Sequence, residues 1–129
     1  LFQLYESALA RFREVLLLPK NEVIRDSSIK RFEIVFELAW KVLKLFLEIQ
    51  EGILVATPKS TFREATVAGI LDPDNTWMRM VDTRNDLVHA YDQVYAERVY
   101  NENLKKYLQM FEYLFSVLKN KINDLPTTF

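Results

Sequence analysis

The apolar residues of this chain recur at spacings of three and four positions along several long segments, which is the period of an amphipathic helix. In the first segment, about residues 1–18, one side of the helix is apolar: Leu4, Ala8, Phe12 and Val15. Pro19 ends this pattern, because the residue before a proline is disfavoured in the helical conformation. This segment is therefore predicted to form a helix that buries its apolar side.

The longest uninterrupted pattern runs from about residue 29 to residue 50. Apolar residues cover two of its faces: Ile29, Phe32, Phe36, Trp40, Leu43 and Leu47 on one, and Ile34, Leu38, Val42, Leu45 and Ile49 on the other. The remaining strip is charged and is predicted to meet water: Glu33, Glu37, Lys41, Lys44 and Glu48. Oxygens of residues 26–28 can cap the start of this helix, and Gly52 can end it. Such a wide apolar surface is expected at the centre of a bundle.

Three more helices are predicted after it. Thr57 and Pro58 form a favourable start for a short helix that Gly69 can end. The turn at residues 72–75 precedes a helix that carries a further apolar set: Trp77, Met80, Val81, Leu87, Val88 and Tyr91. A last helix, about residues 96–122, has its own apolar side: Val99, Leu104, Tyr107, Phe111, Leu114, Leu118 and Ile122.

The fold class that follows is all-α, an antiparallel four-helix bundle with one additional short helix. No segment shows the sustained alternation of apolar and polar residues that marks a strand. Only two glycines and four prolines interrupt the 129 residues, so most of the chain can continue as helix. We expect residues 1–123 to form one domain and residues 124–129 to form a flexible tail.

Composition limits the kinds of site that the chain can build. It has no cysteine and one histidine, which excludes disulfides, thiolate sites and histidine-rich metal sites. Glu33 and Glu37 could act as a carboxylate pair, but they belong to the charged strip and lack a histidine partner. We therefore expect neither a metal nor another cofactor.

Charge and hydropathy limit the partners. The formal net charge of −1 gives no global basic excess, so RNA binding would require a local basic patch. No uncharged stretch approaches the roughly 20 residues of a membrane span. We expect a soluble, cytoplasmic protein without a membrane partner.

The only histidine of the chain lies in a short window together with an arginine and a tyrosine: Arg84, His89 and Tyr91. On an ideal helix Arg84 and Tyr91 fall within about 20° of each other, whereas His89 lies about 140° from Arg84. Asn85 and Asp86, one turn before His89, could each hydrogen-bond its imidazole. Arg84 and His89 can serve one substrate if the helix is distorted, if their side chains wrap round it, or if a two-fold related copy supplies the second group.

Spacing alone also permits a purely structural interpretation of these residues. Arg84 would be a partly buried ion-pair partner, His89 a helix-end residue favoured by the helix dipole, and Tyr91 a core aromatic with a solvated hydroxyl. Four tyrosines near the end of the chain are likewise either base-stacking groups or core residues: Tyr95, Tyr100, Tyr107 and Tyr113.

Three blocks of the sequence resemble the nucleotidyltransferase substrate-binding family, a branch of the HEPN superfamily. Residues 29–41, IKRFEIVFELAWK, are similar to the signature helix of that family. Residues 57–69 resemble its short helix, and residues 80–92 contain a match to its arginine-x4-histidine-x-tyrosine motif. The resemblance implies a helical bundle that forms a homodimer and has a separately encoded minimal nucleotidyltransferase as its partner.

Two functions are implied by this resemblance. In the first, the protein is a toxin and a metal-independent ribonuclease: His89, oriented by Asn85 or Asp86, would take the proton from an RNA 2′-hydroxyl, while Arg84 would stabilise charge on the phosphate. The nucleotidyltransferase would silence it by adenylylating Tyr91. In the second, the protein is a non-catalytic subunit that helps the nucleotidyltransferase hold its substrate. We expect the first function and keep the second as the alternative.

Overall fold

A computed structural model describes residues 1–122 and 129 of the chain. Six α-helices form within these residues, and none of the described residues lies in a strand. The helices are α1 (Phe2–Leu16), α2 (Glu22–Phe46), α3 (Pro58–Val67), α4 (Thr76–His89), α5 (Gln93–Glu102) and α6 (Leu104–Lys121). The predicted all-α class is confirmed.

The core is built around α2, which packs against α1, α3, α5 and α6. The Phe32 ring of α2 is fully buried, with its centroid 6.4 Å from that of Phe12 on α1 and 5.3 Å from that of Tyr107 on α6. Burying one such side chain contributes about 1.5–3 kcal/mol to folding. The central place predicted for this segment from its wide apolar surface is confirmed.

The predicted start of α2 is wrong by about two turns. The helix begins at Glu22, and its cap is Asn21, whose side-chain oxygen accepts a 2.8 Å hydrogen bond from the Ile24 amide. Ser28, one of the residues predicted to cap, lies inside the helix and donates to the Ile24 carbonyl at 2.6 Å. The side chains of Arg25 and Ser28, inside this helix, are buried against the bundle.

The other predicted helix ends are confirmed where the local chemistry is strong. After α2 the chain makes one π-helical turn, Leu47–Glu51, and Gly52 stops it with a φ of 66°, where residues with a Cβ are strained. Thr57 caps α3 through a 3.1 Å hydrogen bond from the Ser60 amide, and Pro58 is its first residue. Gly69, with a φ of 78°, follows the end of α3.

The last predicted helix is divided into two. It begins at Gln93 rather than at residue 96, and Asn103 interrupts it with φ −121° and ψ −38°. Neither glycine nor proline marks this break, so the local sequence does not predict it. The division lets α5 pack against α2 while α6 packs against α1 as well as α2. Tertiary packing therefore sets the break.

Part of the predicted buried surface is solvent-exposed. Leu4 of α1 is 62% exposed, because Tyr5 and Leu9 face the core in place of Leu4 and Ala8, and Ile34 of α2 is 44% exposed. An open apolar groove of about 250 Å³ results, lined by Leu4, Ala8, Arg11, Arg31, Ile34 and Leu38. The predicted charged strip also differs, because Glu33 is half-buried.

The predicted flexible tail, residues 124–129, lies outside the described residues apart from Phe129. The Phe129 ring is buried and lies 6.0 Å from the Phe2 ring and 6.1 Å from the Phe46 ring, measured between centroids. Its carbonyl accepts a 2.7 Å hydrogen bond from the Phe2 amide. Phe129 therefore packs against the start of α1.

Across residues 1–122 and 129, none of the helices combines the length and the apolar character that a membrane crossing requires.

Candidate functional site

The candidate residues lie at the end of α4 and in the linker that joins it to α5. Buried Trp77, Met80 and Leu87 hold α4 against the core. The helix ends at His89, because Ala90 takes an extended conformation with φ −149° and ψ 79°. Tyr91 therefore lies in the linker, and its angular position on an ideal helix no longer applies. The prediction that this helix includes Tyr91 is wrong.

The exposed side chain of His89 lines an open cavity of about 350 Å³. The cavity is formed by the last turn of α4, the linker and the first turns of α5: Asp86, His89, Ala90, Asp92, Tyr95 and Arg98. We call it the histidine cavity.

Side chains in the histidine cavity are held by contacts with one another. The Tyr95 hydroxyl donates a 3.1 Å hydrogen bond to Asp86 Oδ2, and burial together with this carboxylate raises the pKa of Tyr95. The Arg98 guanidinium lies over the Tyr95 ring, 5.2 Å from its centroid. Asp86 was predicted to hydrogen-bond the imidazole of His89; it lines the same cavity, and its carboxylate accepts the hydrogen bond from Tyr95.

Arg84 lies on another side of α4 from the histidine cavity. Its half-buried guanidinium lies over the Phe36 ring of α2, 4.8 Å from the centroid. Its Nε atom is buried without a hydrogen-bond partner among the described residues. Burial raises the pKa of the nearby Glu33 carboxyl, while the positive charges of Lys30 and Arg84 act in the opposite direction.

Tyr91 lines a second cavity, of about 290 Å³, on the α2 side of the linker. Its other lining residues all belong to α2: Asp26, Ile29, Lys30 and Glu33. We call it the tyrosine cavity. The Tyr91 hydroxyl donates a 2.7 Å hydrogen bond to Asp26 Oδ1. Burial, and next this hydrogen bond, raise the pKa of Tyr91 to about 12, and the same bond lowers the pKa of Asp26.

Asp26 connects Tyr91 to a group of ion pairs between α2 and α5. Arg25, which is 7% exposed, contacts Asp26 at 3.1 Å and Glu97 of α5 at 3.1 Å. Glu97 also pairs with Lys20 of the loop between α1 and α2. These contacts hold α5, and with it the far end of the linker, against α2.

The structure brings some of the predicted site residues together and separates others. His89 and Asp86 share the histidine cavity, whereas Tyr91 lines the tyrosine cavity. Arg84 packs on α2, and Asn85 is half-buried on α4, so neither is among the residues that line the histidine cavity. Within one chain, Arg84 and His89 therefore face different surroundings, in line with their predicted angular separation.

The sequence analysis missed Asp26 and Arg98 as site residues at these cavities, and it considered Tyr95 only as a base-stacking or core residue. Asp26 was considered only as a helix cap, because it lies 65 positions along the chain from Tyr91, the residue that it contacts. Tyr95 and Arg98 follow the break between α4 and α5, so the helical period that relates His89 to its neighbours does not extend to them. No local signal in the sequence identifies these contacts.

Comparison with known proteins places the chain in a family. The family model described as "Nucleotidyltransferase substrate binding protein like" matches residues 1–120. The chain belongs to this family. A crystal structure of a protein from Thermus thermophilus is similar, with 34% sequence identity and a TM-score of 0.83 over 89% of this chain and 98% of that one. No curated protein matches the sequence.

Membership in the nucleotidyltransferase substrate-binding family confirms the resemblance found in the three sequence blocks. The family's name associates its members with a nucleotidyltransferase, so the predicted partner is confirmed at this coarser level. The matched range includes α1 to α5 and nearly all of α6, and therefore both cavities.

In this family member, the shifted pKa values of Tyr91 and Asp26 make the stability of the fold depend on pH. Asp26, with a lowered folded pKa, contributes stability above its ordinary pKa of 3.8, which is lost as the pH falls through the folded value. Tyr91, with a raised folded pKa, contributes stability below its ordinary pKa of 10.0, which is lost as the pH rises through about 12.

We expect Asp26→Asn to lower the pKa of Tyr91 while leaving it above 10.0, because the negative charge is lost but the burial remains. NMR titration of the carbon-13-labelled tyrosine ring measures this value. Asp72→Asn, in an exposed turn at another part of the surface, is the control and should leave the Tyr91 pKa unchanged. An unchanged or higher Tyr91 pKa in Asp26→Asn would contradict the role given to this hydrogen bond.

Proposed function

We propose that the protein is the homodimeric partner of a minimal nucleotidyltransferase, and that it carries a metal-independent ribonuclease site at His89. The observation that supports this most directly is the placement of the only histidine, which lies within a family motif and is exposed in an open cavity that an arginine also lines. Imidazole is the side chain best suited to accept and return a proton at neutral pH.

The proposed reaction is an internal transfer of the RNA phosphate. His89 takes the proton from a 2′-hydroxyl, whose oxygen attacks the adjacent phosphorus. The bond from phosphorus to the 5′-oxygen then breaks, leaving a 2′,3′-cyclic phosphate, and the departing oxygen takes a proton from the imidazolium or from water. A guanidinium next to the phosphate stabilises the charge that develops on its oxygens.

Homodimerisation is the part of the proposal that gives Arg84 a direct role. Within one chain Arg84 lies over Phe36 and outside the histidine cavity. In a two-fold symmetric dimer each surface meets its own copy, so Arg84 of one chain can approach His89 of the other near the axis. Asn85 and Asp86, on the same turn of α4, would orient His89 in that arrangement.

Tyr91 is the proposed site of control. Its phenolic oxygen would attack the α-phosphorus of ATP held by the nucleotidyltransferase, releasing pyrophosphate and forming a phosphodiester to AMP. Asp26 Oδ1, 2.7 Å from the hydroxyl, is placed to accept the phenolic proton. The attached AMP would break this hydrogen bond and add a negative charge to a cavity that already contains Asp26 and Glu33. The linker would then shift, and the linker also borders the histidine cavity.

A second function has its own support. The guanidinium of Arg84 is half-buried on Phe36 and close to Glu33, as expected for a residue that stabilises the fold. If Arg84 acts only in this way, the protein is a non-catalytic subunit that helps the nucleotidyltransferase hold its substrate. The cavities would then belong to the surface that contacts that substrate.

Modification of Tyr91 tests the partnership directly. Incubation with a minimal nucleotidyltransferase, the proposed partner, together with Mg²⁺ and ATP should add the mass of at least one adenylyl group, measured on the intact protein. Tyr91→Phe should prevent the addition at this site, because it removes the attacking oxygen. Tyr95→Phe, which alters a hydroxyl at the other end of the linker, is the matched control and should still be modified. Equal modification of the wild type and Tyr91→Phe would exclude Tyr91 as the acceptor.

A further inference from the structure

The histidine cavity has an arginine of its own. Arg98 of α5 lines the same cavity as His89 and belongs to the same chain, whereas Arg84 packs on α2. The side chain of Arg98 is exposed, so a ligand can reach it without displacing part of the core. Arg84 is less accessible to a ligand, because its Nε atom is buried, and its positive charge acts on the nearby Glu33.

We propose that Arg98 binds a phosphodiester of single-stranded RNA in the histidine cavity. This inference rests on the proposed function, because it takes RNA as the ligand of the His89 site. The planar guanidinium can donate two parallel hydrogen bonds to the oxygens of one phosphate. With Arg98 in this role, each chain supplies both an imidazole and a cation to the same RNA segment.

The position of Arg98 is restricted by Tyr95. The two residues are three positions apart on α5 and therefore lie on one face of the helix, with the guanidinium over the ring. Tyr95 is in turn tied to α4 by the hydrogen bond from its hydroxyl to Asp86, three positions before His89. This series of contacts connects the helix that carries Arg98 to the turn that carries His89. Less conformational freedom is then lost when a phosphate binds.

The acidic residues of the cavity already have hydrogen-bond donors. Asp86 accepts from the Tyr95 hydroxyl, and Asp92 accepts a 2.8 Å hydrogen bond from the Val94 amide as the cap of α5. These donors offset part of the repulsion that two carboxylates exert on a phosphate. The exposed guanidinium of Arg98 provides the attraction for the phosphate.

Binding of an RNA that cannot be cleaved tests the inference. A fluorescent single-stranded oligonucleotide with 2′-O-methyl groups lacks the attacking hydroxyl, and its anisotropy reports affinity for the whole protein. Arg98→Ala should weaken binding roughly tenfold, and the slope of log affinity against log salt should become shallower by about one. Arg98→Lys, which keeps the charge but loses the planar fork, should fall between the wild type and Arg98→Ala.

Arg63→Ala is the matched control, because Arg63 is exposed on α3 and is not among the residues that line the histidine cavity. It should bind like the wild type, and circular dichroism should show all three variants folded. Equal affinity of Arg98→Ala and Arg63→Ala overturns the inference, as does absence of RNA binding by the wild type. Binding that depends on Arg98, without cleavage of unmodified RNA, supports the inference and refutes the ribonuclease function.

Discussion

Replacing His89 by alanine is expected to lower the rate of RNA cleavage by roughly 10²–10⁴-fold, which is the usual contribution of a proton-transferring side chain. His89 is the only histidine, so no second imidazole can replace it. It is also exposed at the end of α4, so its removal leaves the packed core intact. The assay uses a purified, labelled single-stranded RNA in the presence of a chelator.

Val88→Ala is the matched control for this substitution. Val88 is the preceding residue and is also exposed, but it has no group that transfers protons. The control should cleave RNA at the wild-type rate, and its melting temperature should match that of His89→Ala. Cleavage that persists unchanged in His89→Ala would refute the ribonuclease function and leave the non-catalytic subunit.

Mixing two inactive variants shows whether the site is shared between chains. If Arg84 of one chain serves His89 of the other, a dimer of Arg84→Ala with His89→Ala has one complete site and one doubly defective site. Because half of randomly mixed dimers are of this kind, about a quarter of the wild-type activity should return. If both groups act within one chain, mixing restores nothing, and the cation that serves His89 is intramolecular, as Arg98 is.

Phe62→Ala should lower the free energy of unfolding by about 3–5 kcal/mol, the largest stability effect expected from one substitution on α3. The Phe62 ring is fully buried, stacks on Trp77 of α4 with 4.7 Å between centroids, and lies 6.3 Å from Phe36 of α2. Its removal leaves a cavity where three helices meet. Denaturant unfolding measures the change, and the melting temperature should fall by roughly 10–25 °C.

Val67→Ala, at the other end of α3, is the control for this stability effect. Val67 is 76% exposed, and its truncation should change the free energy of unfolding by less than about 0.5 kcal/mol. A loss below about 1 kcal/mol in Phe62→Ala would mean that its ring is not packed as described, because filled core sites do not tolerate such a deletion. Since Trp77 lies on the helix that carries His89, cleavage should also become more sensitive to temperature.

Local patterns account for most of the helices. The three- and four-residue spacing of apolar positions predicts where they run, and the chemistry of Gly52, Thr57 and Pro58 predicts where two of them end or begin. These features depend on neighbours within one or two turns. The start of α2 is an exception, because the sequence predicts its cap among residues 26–28, whereas Asn21 is the cap in the structure.

Local sequence patterns also predict the candidate site only in part. The sequence identifies His89 as the only imidazole and predicts that Arg84 points away from it. It does not predict that the helix ends between His89 and Tyr91, so that the two side chains line different cavities. That division results from the way the linker crosses between α2 and α5, and Asp26 and Arg25 hold it there.

The sequence by itself determined an all-helical chain, its central helix, its family and the position of its one histidine, because each is expressed in residues that are near one another along the chain. Only the tertiary structure decided which groups accompany that histidine. Tyr95 and Arg98 line the same cavity from beyond the break between α4 and α5, and Arg84 is held on Phe36 instead. Contacts between separate helices depend on packing and on the path of the linker, which no local period encodes.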